Sequence, residues 1–162
     1  PGSSHNRPLG TSGLSGWPRA SGLDTDFRRD HPHDAYEGLQ FDVPVEAGGD
    51  VRARLMVRAR EVEQSLSILR QALDGLPEGR VSAVLPDVLP SSSSALGWAE
   101  GWRGECLHWI QTDEDGRLAR VKVTDPSFKN WPALVRAVPG NIVPDFPVIN
   151  KSFNLSYSGN DR

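Results

Sequence analysis

Residues 50–75 constrain the fold more than any other part of this sequence. Asp50 is well suited to cap a helix. Beyond it, apolar side chains fall at Val51, Leu55, Val62, Leu66, Leu69 and Leu73, in steps of three, four and seven. That spacing predicts one helix with a single apolar stripe facing a core. Gly75 supplies a C-terminal stop, with Pro77 beyond it. Roughly 24 residues at 1.5 Å per residue make a rod about 36 Å long. Such a rod needs a partner of similar length, and the rest of the chain offers only short helices. The expectation is therefore an incomplete helical bundle whose other members lie in a missing N-terminal part of the same protein, since the chain opens at Pro1 rather than Met. Arg52, Arg54, Arg58 and Arg60 are assigned to a solvated face or to contacts with a neighbouring subunit.

The second half reads differently. Residues 76–96 carry Pro77, Pro86, Pro90 and four consecutive serines, and read as a linker. Residues 98–112 and 118–124 are strand candidates, joined by a turn at Asp113-Glu114-Asp115-Gly116. In the first, Cys106, His108 and Ile110 share one face and Leu107 and Trp109 the other. In the second, Ala119, Val121 and Val123 are expected to point inward, with Arg117, Arg120 and Lys122 reaching solvent. Asn130 is placed as the cap of a short helix with Pro132 in its first turn and Gly140 after its end. Asp145 and Pro147 repeat that arrangement for a helix over 146–153. The predicted class is α+β: a long helix from an incomplete bundle, a small antiparallel hairpin or sheet, and short C-terminal helices. Residues 1–16, rich in Gly, Ser and Pro, form a flexible lead-in with His5 solvated, and 17–162 one domain.

Composition excludes some functions. A net charge of −3 carries no nucleic-acid footprint. A single cysteine, Cys106, rules out an internal disulfide or a cysteine-rich metal cluster, and makes a reducing compartment the simple assumption. No apolar run is long enough to cross a bilayer. His31 and His33 straddle Pro32 without further ligands at suitable spacing, so no metal is assigned to them. The run Asp26-Phe27-Arg28-Arg29-Asp30-His31-Pro32 reads in isolation as a surface ion-pair cluster. Arg103 sits beside Gly104, where backbone can approach another group closely. Either it lines a site, or it pairs structurally with Glu105 or Glu100. Cys106 lacks a paired base and reads as a buried small residue.

Longer motifs add a resemblance. Arg19-Ala20-Ser21-Gly22, the 26–32 run, Asp34-Ala35-Tyr36, Phe41-Asp42-Val43-Pro44-Val45, residues 50–58 with Gln64-Ser65-Leu66, residues 100–110 and residues 125–131 occur in this order. Together, over residues 17–75 and 97–162, they resemble the large subunit of energy-converting, formate hydrogenlyase-type nickel–iron hydrogenases. They also resemble the D-subunit of NADH-quinone oxidoreductase, the respiratory complex I protein of shared ancestry. In the hydrogenases, two Cys-x-x-Cys pairs hold nickel and iron, whose softness suits thiolate. The C-terminal pair falls here on Ser156 and Gly159. Neither is a thiolate donor, so the resemblance implies a chain without a nickel–iron centre, as in the complex I protein. The end at Asp161-Arg162 also matches the complex I protein, whereas hydrogenase precursors carry a further peptide. Arg103-Gly104, by contrast, is hydrogenase-like, where the complex I protein has Lys-Gly-Glu.

By this resemblance the reacting residues would be Arg103, Glu105 and His108. Arg19, Asp30, Ser156, Gly159, Asp161 and Arg162 would line the former metal cavity. No cofactor is assigned to this chain itself. Electrons would arrive from an iron–sulfur cluster in a partner small subunit and leave to quinone or another small molecule, in an electron-transport complex with quinone and NAD binding. Membrane-arm subunits and the N-terminal part of the same protein are the other expected partners, with no nucleic acid. The expected location is peripheral, on the cytoplasmic side of the cell membrane. A non-catalytic scaffold and a true formate hydrogenlyase-type hydrogenase subunit are the alternative readings.

Overall fold

A computed structural model of the chain describes residues 17–80, 82–84 and 86–160. The expected lead-in over 1–16, His5, Asp161 and Arg162 lie outside the described residues. The elements run α1 (Phe27–Asp30), α2 (Val51–Asp74), β1 (Ser94–Gly101), β2 (Gly104–Thr112), β3 (Leu118–Thr124), α3 (Pro126–Ala137), α4 (Phe146–Phe153) and α5 (Tyr157–Asn160), with short 3₁₀ turns at Arg19–Ser21, Asp34–Gly38 and Val143–Asp145. The α+β class holds.

The long helix α2 forms as its caps dictate. Asp50 Oδ1 accepts the Ala53 amide at 2.7 Å, and the Gly75 amide closes the last turn on the Gln71 and Leu73 carbonyls. Its packing is the reverse of the simple expectation except at Val51, which packs against a core formed by later helices. The face that is covered carries Ala53, Arg54 and Val57. Leu55, Val62, Leu66, Leu69 and Leu73 fall within about 60° of one another around the axis, on the opposite side. All five are exposed, Leu73 at 70%. These five side chains have no partner among the described residues.

The covered face is lined by the preceding segment. Gln71 exchanges two hydrogen bonds with the Gln40 backbone, at 2.8 and 2.7 Å, and Gln64 accepts the Asp42 amide at 2.9 Å. Arg60 pairs with Glu46 at 2.7 Å. Ala20, Ala53 and Val57 then close a small core between the first 3₁₀ turn and α2.

The strands form one antiparallel sheet in the order β1-β2-β3. Here the sequence expectation needs correcting. Residues 98–112 are not one strand: the chain reverses at Trp102-Arg103, with Gly101 opposite Gly104. Gly104 adopts φ 135°, and a Cβ on Gly101 would press on the Gly104 carbonyl at 3.3 Å and Cys106 Sγ at 3.4 Å. Two glycines therefore make the hairpin, and they place Trp102 and Arg103 at its tip. The linker is correspondingly shorter, because β1 begins at Ser94. The second turn is as expected: Asp113 Oδ1 accepts the Asp115 and Arg117 amides at 3.0 and 2.8 Å, and Gly116 takes φ 75°. The expected inward face of β3 is only partly realised. Val123 is half-buried, while Ala119 and Val121 are exposed.

A second core joins Leu134 of α3 to Ile149 and Phe153 of α4, flanked by Trp17, Val51, Trp131 and Leu155. α3 begins earlier than predicted. Asp125 caps it through the Ser127 amide at 2.7 Å, Pro126 occupies its first turn, and Asn130 and Pro132 lie inside it. α4 matches its predicted span, and Gly140 takes φ 86° after α3. No helix among the described residues is long and apolar enough to cross a membrane.

Candidate functional site

Two polar clusters flank the start of α2. The first is built from the 3₁₀ turn and α1. Asp26 is 2% exposed and caps α1, accepting the Arg28 amide at 3.0 Å. Its carboxylate also takes Arg28 Nε at 3.0 Å, Arg28 Nη2 at 2.6 Å and Arg19 Nη1 at 2.9 Å. Glu61 of α2 completes the cluster, accepting from Arg19 and, at 3.3 Å, from Arg28. Burial alone would raise the Asp26 pKa, but the Arg28 hydrogen bonds and the charges of Arg28 and Arg19 outweigh it and hold the carboxyl below its usual value. For Arg28, burial opposes the charge, and Asp26, Glu61 and Glu100 overcome it and raise its pKa. The sequence reading of a surface cluster is corrected in part: Asp26 and Arg28 balance Arg19 and Glu61 in the interior, while Arg29 with Asp24 and Asp30 keeps the surface pairing. Asp30, the acid singled out from sequence, sits at the periphery beside Arg29 at 3.2 Å. The structural acid is Asp26, and its signature was the Asp-x-Arg spacing of a capping residue.

The second cluster surrounds the tip of the β1–β2 hairpin. Arg103 neither pairs with Glu105 nor with Glu100. Its Nε donates to the Asn154 carbonyl at 2.6 Å, and its guanidinium lies 4.0 Å from the centre of the Trp102 ring. Asn130, from inside α3, donates to the Arg103 carbonyl at 2.9 Å and accepts Trp17 Nε1 at 3.1 Å. Glu105 is buried and holds Lys129 at 3.2 Å. His108, further along β2, is exposed and stands apart from both clusters. Cys106 is half-buried rather than buried. Burial first, then the charges of Asp125, Glu100 and Glu105, push its thiol up, so it is a poor nucleophile.

The C-terminal turn closes against this hairpin. Asn154 ends α4 in the left-handed region at φ 50°. Ser156 is then fixed from three sides: its amide donates to Ser127 Oγ at 3.0 Å, its Oγ accepts the Gly159 amide at 3.0 Å, and it shares a hydrogen bond with Ser158 Oγ at 3.1 Å. Gly159 is buried against Asp125. A Cβ built on it would lie 2.4 Å from the Asp125 carboxyl carbon and 2.6 Å from both oxygens. The carboxylate therefore fills the space that a side chain at position 159 would take. The two positions that match thiolate ligands do not fit a nickel–iron group: one oxygen is engaged in a turn and the other position is filled by an acid.

Of the nine sequence-selected site residues, the fold thus gathers Arg103, Ser156 and Gly159. Arg19 lies in the other cluster, with Glu105 and His108 on the strand leading away. Arg54, Arg58, Asn130 and Asp125 were missed. Arg54 and Arg58 contradict the solvated-face expectation: Arg54 is 6% exposed and donates to Ser152 Oγ at 2.8 Å, and Arg58 donates to the Ser152 carbonyl. The available signal was their placement one turn apart beside Ala53 and Val57, the small residues of the packed face.

Comparison with known proteins places the chain in a family. Over 144 residues the chain is 39% identical to formate hydrogenlyase subunit 5 of Escherichia coli (strain K12), covering 89% of this chain and 25% of that protein. It is 37% identical over 150 residues to NADH-quinone oxidoreductase D-subunit 2 of Anaeromyxobacter dehalogenans (strain 2CP-C), covering 89% and 40%. Hydrogenase-4 component G of Escherichia coli (strain K12) is 36% identical over 137 residues, covering 85% and 24%. The chain therefore spans well under half the length of these curated relatives. The family model for the respiratory-chain NADH dehydrogenase 49 Kd subunit matches residues 6–97 and 86–162, nearly the whole sequence. On that match, the chain belongs to the respiratory-chain NADH dehydrogenase 49 Kd subunit family.

Proposed function

We propose that this chain is part of a 49 Kd-type component of a membrane-associated oxidoreductase complex, one that works without a nickel–iron centre. Electrons arrive from an iron–sulfur cluster held by a partner small subunit and pass to quinone rather than to protons. The complex lies peripherally on the cytoplasmic side of the membrane, against membrane-arm subunits. The observation that carries the reading is the Asp125 carboxylate seated 2.4–2.6 Å from where a Cβ of residue 159 would stand. It supports a site from which thiolate ligation has been lost and whose space has been refilled by protein. The names of the relatives, which include both hydrogenase and NADH-quinone oxidoreductase subunits, set the two alternatives that this observation weighs.

Arg103 would contribute a fixed positive charge. A guanidinium is protonated at any working pH, and its position over Trp102 and on the Asn154 carbonyl orients it. Such a group stabilises negative charge developing on a quinone oxygen. The test uses the full-length protein with its partner subunits. Turnover of a short-chain quinone is expected, without hydrogen evolution, and Arg103→Ala should lower it by about 10- to 100-fold with assembly intact. Hydrogen evolution by the parent complex would return the protein to the hydrogenases. An assembled complex inactive towards quinones would support a scaffold role instead.

A further inference from the structure

Three guanidiniums meet around one recess between α2, the β1–β2 hairpin tip and the end of α4. Arg54, Arg58 and Arg103 line it together with Trp17, Trp102 and Phe153. Each arginine is held by neutral oxygens alone. Arg54 donates to Ser152 Oγ and to the Gly49 carbonyl, both at 2.8 Å, Arg58 to the Ser152 carbonyl, and Arg103 to the Asn154 carbonyl at 2.6 Å. Among the described residues, no carboxylate forms an ion pair with any of the three. Their remaining company is aromatic: Arg54 lies 4.2 Å from the Phe153 ring centre, and Arg103 and Arg58 lie 4.0 and 5.8 Å from that of Trp102.

The contrast with the neighbouring cluster is informative. There, Arg19 and Arg28 face Asp26 and Glu61, and charge balances. In the recess, three positive charges converge with ring faces, carbonyl dipoles and the charge of the capping Asp50 near Arg54 to offset them, which compensates a desolvated cation incompletely. Burial and then the charge of Arg103 both push the Arg58 pKa down. A guanidinium carries five N–H donors, so the neutral contacts leave donors on all three residues for another acceptor. The recess is narrow and partly open to solvent, with a cavity of about 20 Å³, room for one small species.

We propose that this recess binds one small monovalent anion, between a halide and a one-carbon carboxylate in size, through Arg54, Arg58 and Arg103. The site shares Arg103 with the quinone reading, but it rests on the convergence of three guanidiniums without a carboxylate partner and not on electron transfer.

Thermal unfolding of the full-length protein with its partner subunits tests this without any activity readout. Gluconate, a bulky and weakly coordinating anion, is replaced stepwise by chloride or by formate at constant ionic strength, which separates binding from screening. A saturable rise in Tm of about 2 °C or more is expected from either small anion. Arg58→Gln should raise the Tm in gluconate, by relieving repulsion, and abolish the rise. Arg54→Gln serves as the second variant if Arg58→Gln fails to assemble. Equal Tm values in gluconate, chloride and formate would overturn the proposal, as would a rise that survives the substitution. A response to formate alone would support it and narrow the ligand to carboxylates.

Discussion

Substituting Gly159 tests the refilled-cavity geometry at its tightest point. The perturbation is Gly159→Ala, which adds a single carbon. On the present backbone that carbon would lie 2.4–2.6 Å from all three carboxyl atoms of Asp125, closer than non-bonded carbon contacts allow. Asp125 cannot simply turn away, because the same carboxylate caps α3 through the Ser127 amide at 2.7 Å. Losing a cap of this type costs about 1 kcal/mol. Forcing a methyl into a filled site adds about 1–3 kcal/mol. Against this, alanine is favoured over glycine in a helix by about 1 kcal/mol, and Gly159 lies in α5. The net expectation is a loss of about 1–3 kcal/mol. In an Asp125→Ala background the clash and the cap are already gone. There Gly159→Ala should be neutral or stabilising by up to about 1 kcal/mol, which gives a coupling of about 1–4 kcal/mol between the two positions. Denaturant unfolding of the four full-length proteins measures the cycle. Additive effects, with Gly159→Ala equally costly in both backgrounds, would refute the claim that Asp125 occupies this space.

The Asp26 carboxyl has a depressed pKa, so its contribution is present above the unfolded value near 3.8 and is lost as pH falls through the lower folded value. Asp26→Asn should cost about 3–5 kcal/mol at neutral pH and shrink the acid-dependent part of unfolding below about pH 4; an unchanged acid limb would count against the buried network. Leu66→Lys with Leu69→Lys should make the isolated 162-residue chain more soluble, yet weaken the full-length protein by about 2 kcal/mol or more per leucine. Unchanged stability of the full-length protein would mean that nothing covers the stripe. Cys106 should alkylate slowly at neutral pH, with a rate midpoint above the ordinary thiol value of 9.0; fast labelling at pH 7 would contradict the acidic surroundings described for it.

The legible parts of this fold were those decided locally. Asp50 and Gly75 bound α2, Gly116 turns the second hairpin, and Gly140 follows α3, because caps and left-handed turns depend on a few adjacent residues. The hairpin tip at Trp102-Arg103 was hidden because Trp, Arg and Cys all suit a strand, and only the flanking Gly101 and Gly104 mark the reversal. The packing of α2 was hidden for a different reason. Its leucines advertise a core that the described residues do not contain, while the face that they do cover uses Ala53, Val57 and two arginines. Periodicity finds a stripe but cannot say which element lies against it. In the site, the matched motifs led to Arg103, Ser156 and Gly159, which the fold brings together. Asp125 was legible as an acid before a proline but not as the occupant of the space at position 159, since that depends on a contact between residues far apart in sequence. Arg54 and Arg58 were misplaced because a buried arginine without a carboxylate partner runs against the usual cost of desolvating charge.

The most direct test of the central claim is the nickel content of the full-length protein purified with its partner subunits. The Ser156 turn and the Asp125 carboxylate at Gly159 predict only trace nickel, unchanged by growth in added nickel. One nickel per protein would contradict the account and place the chain among functional hydrogenase subunits.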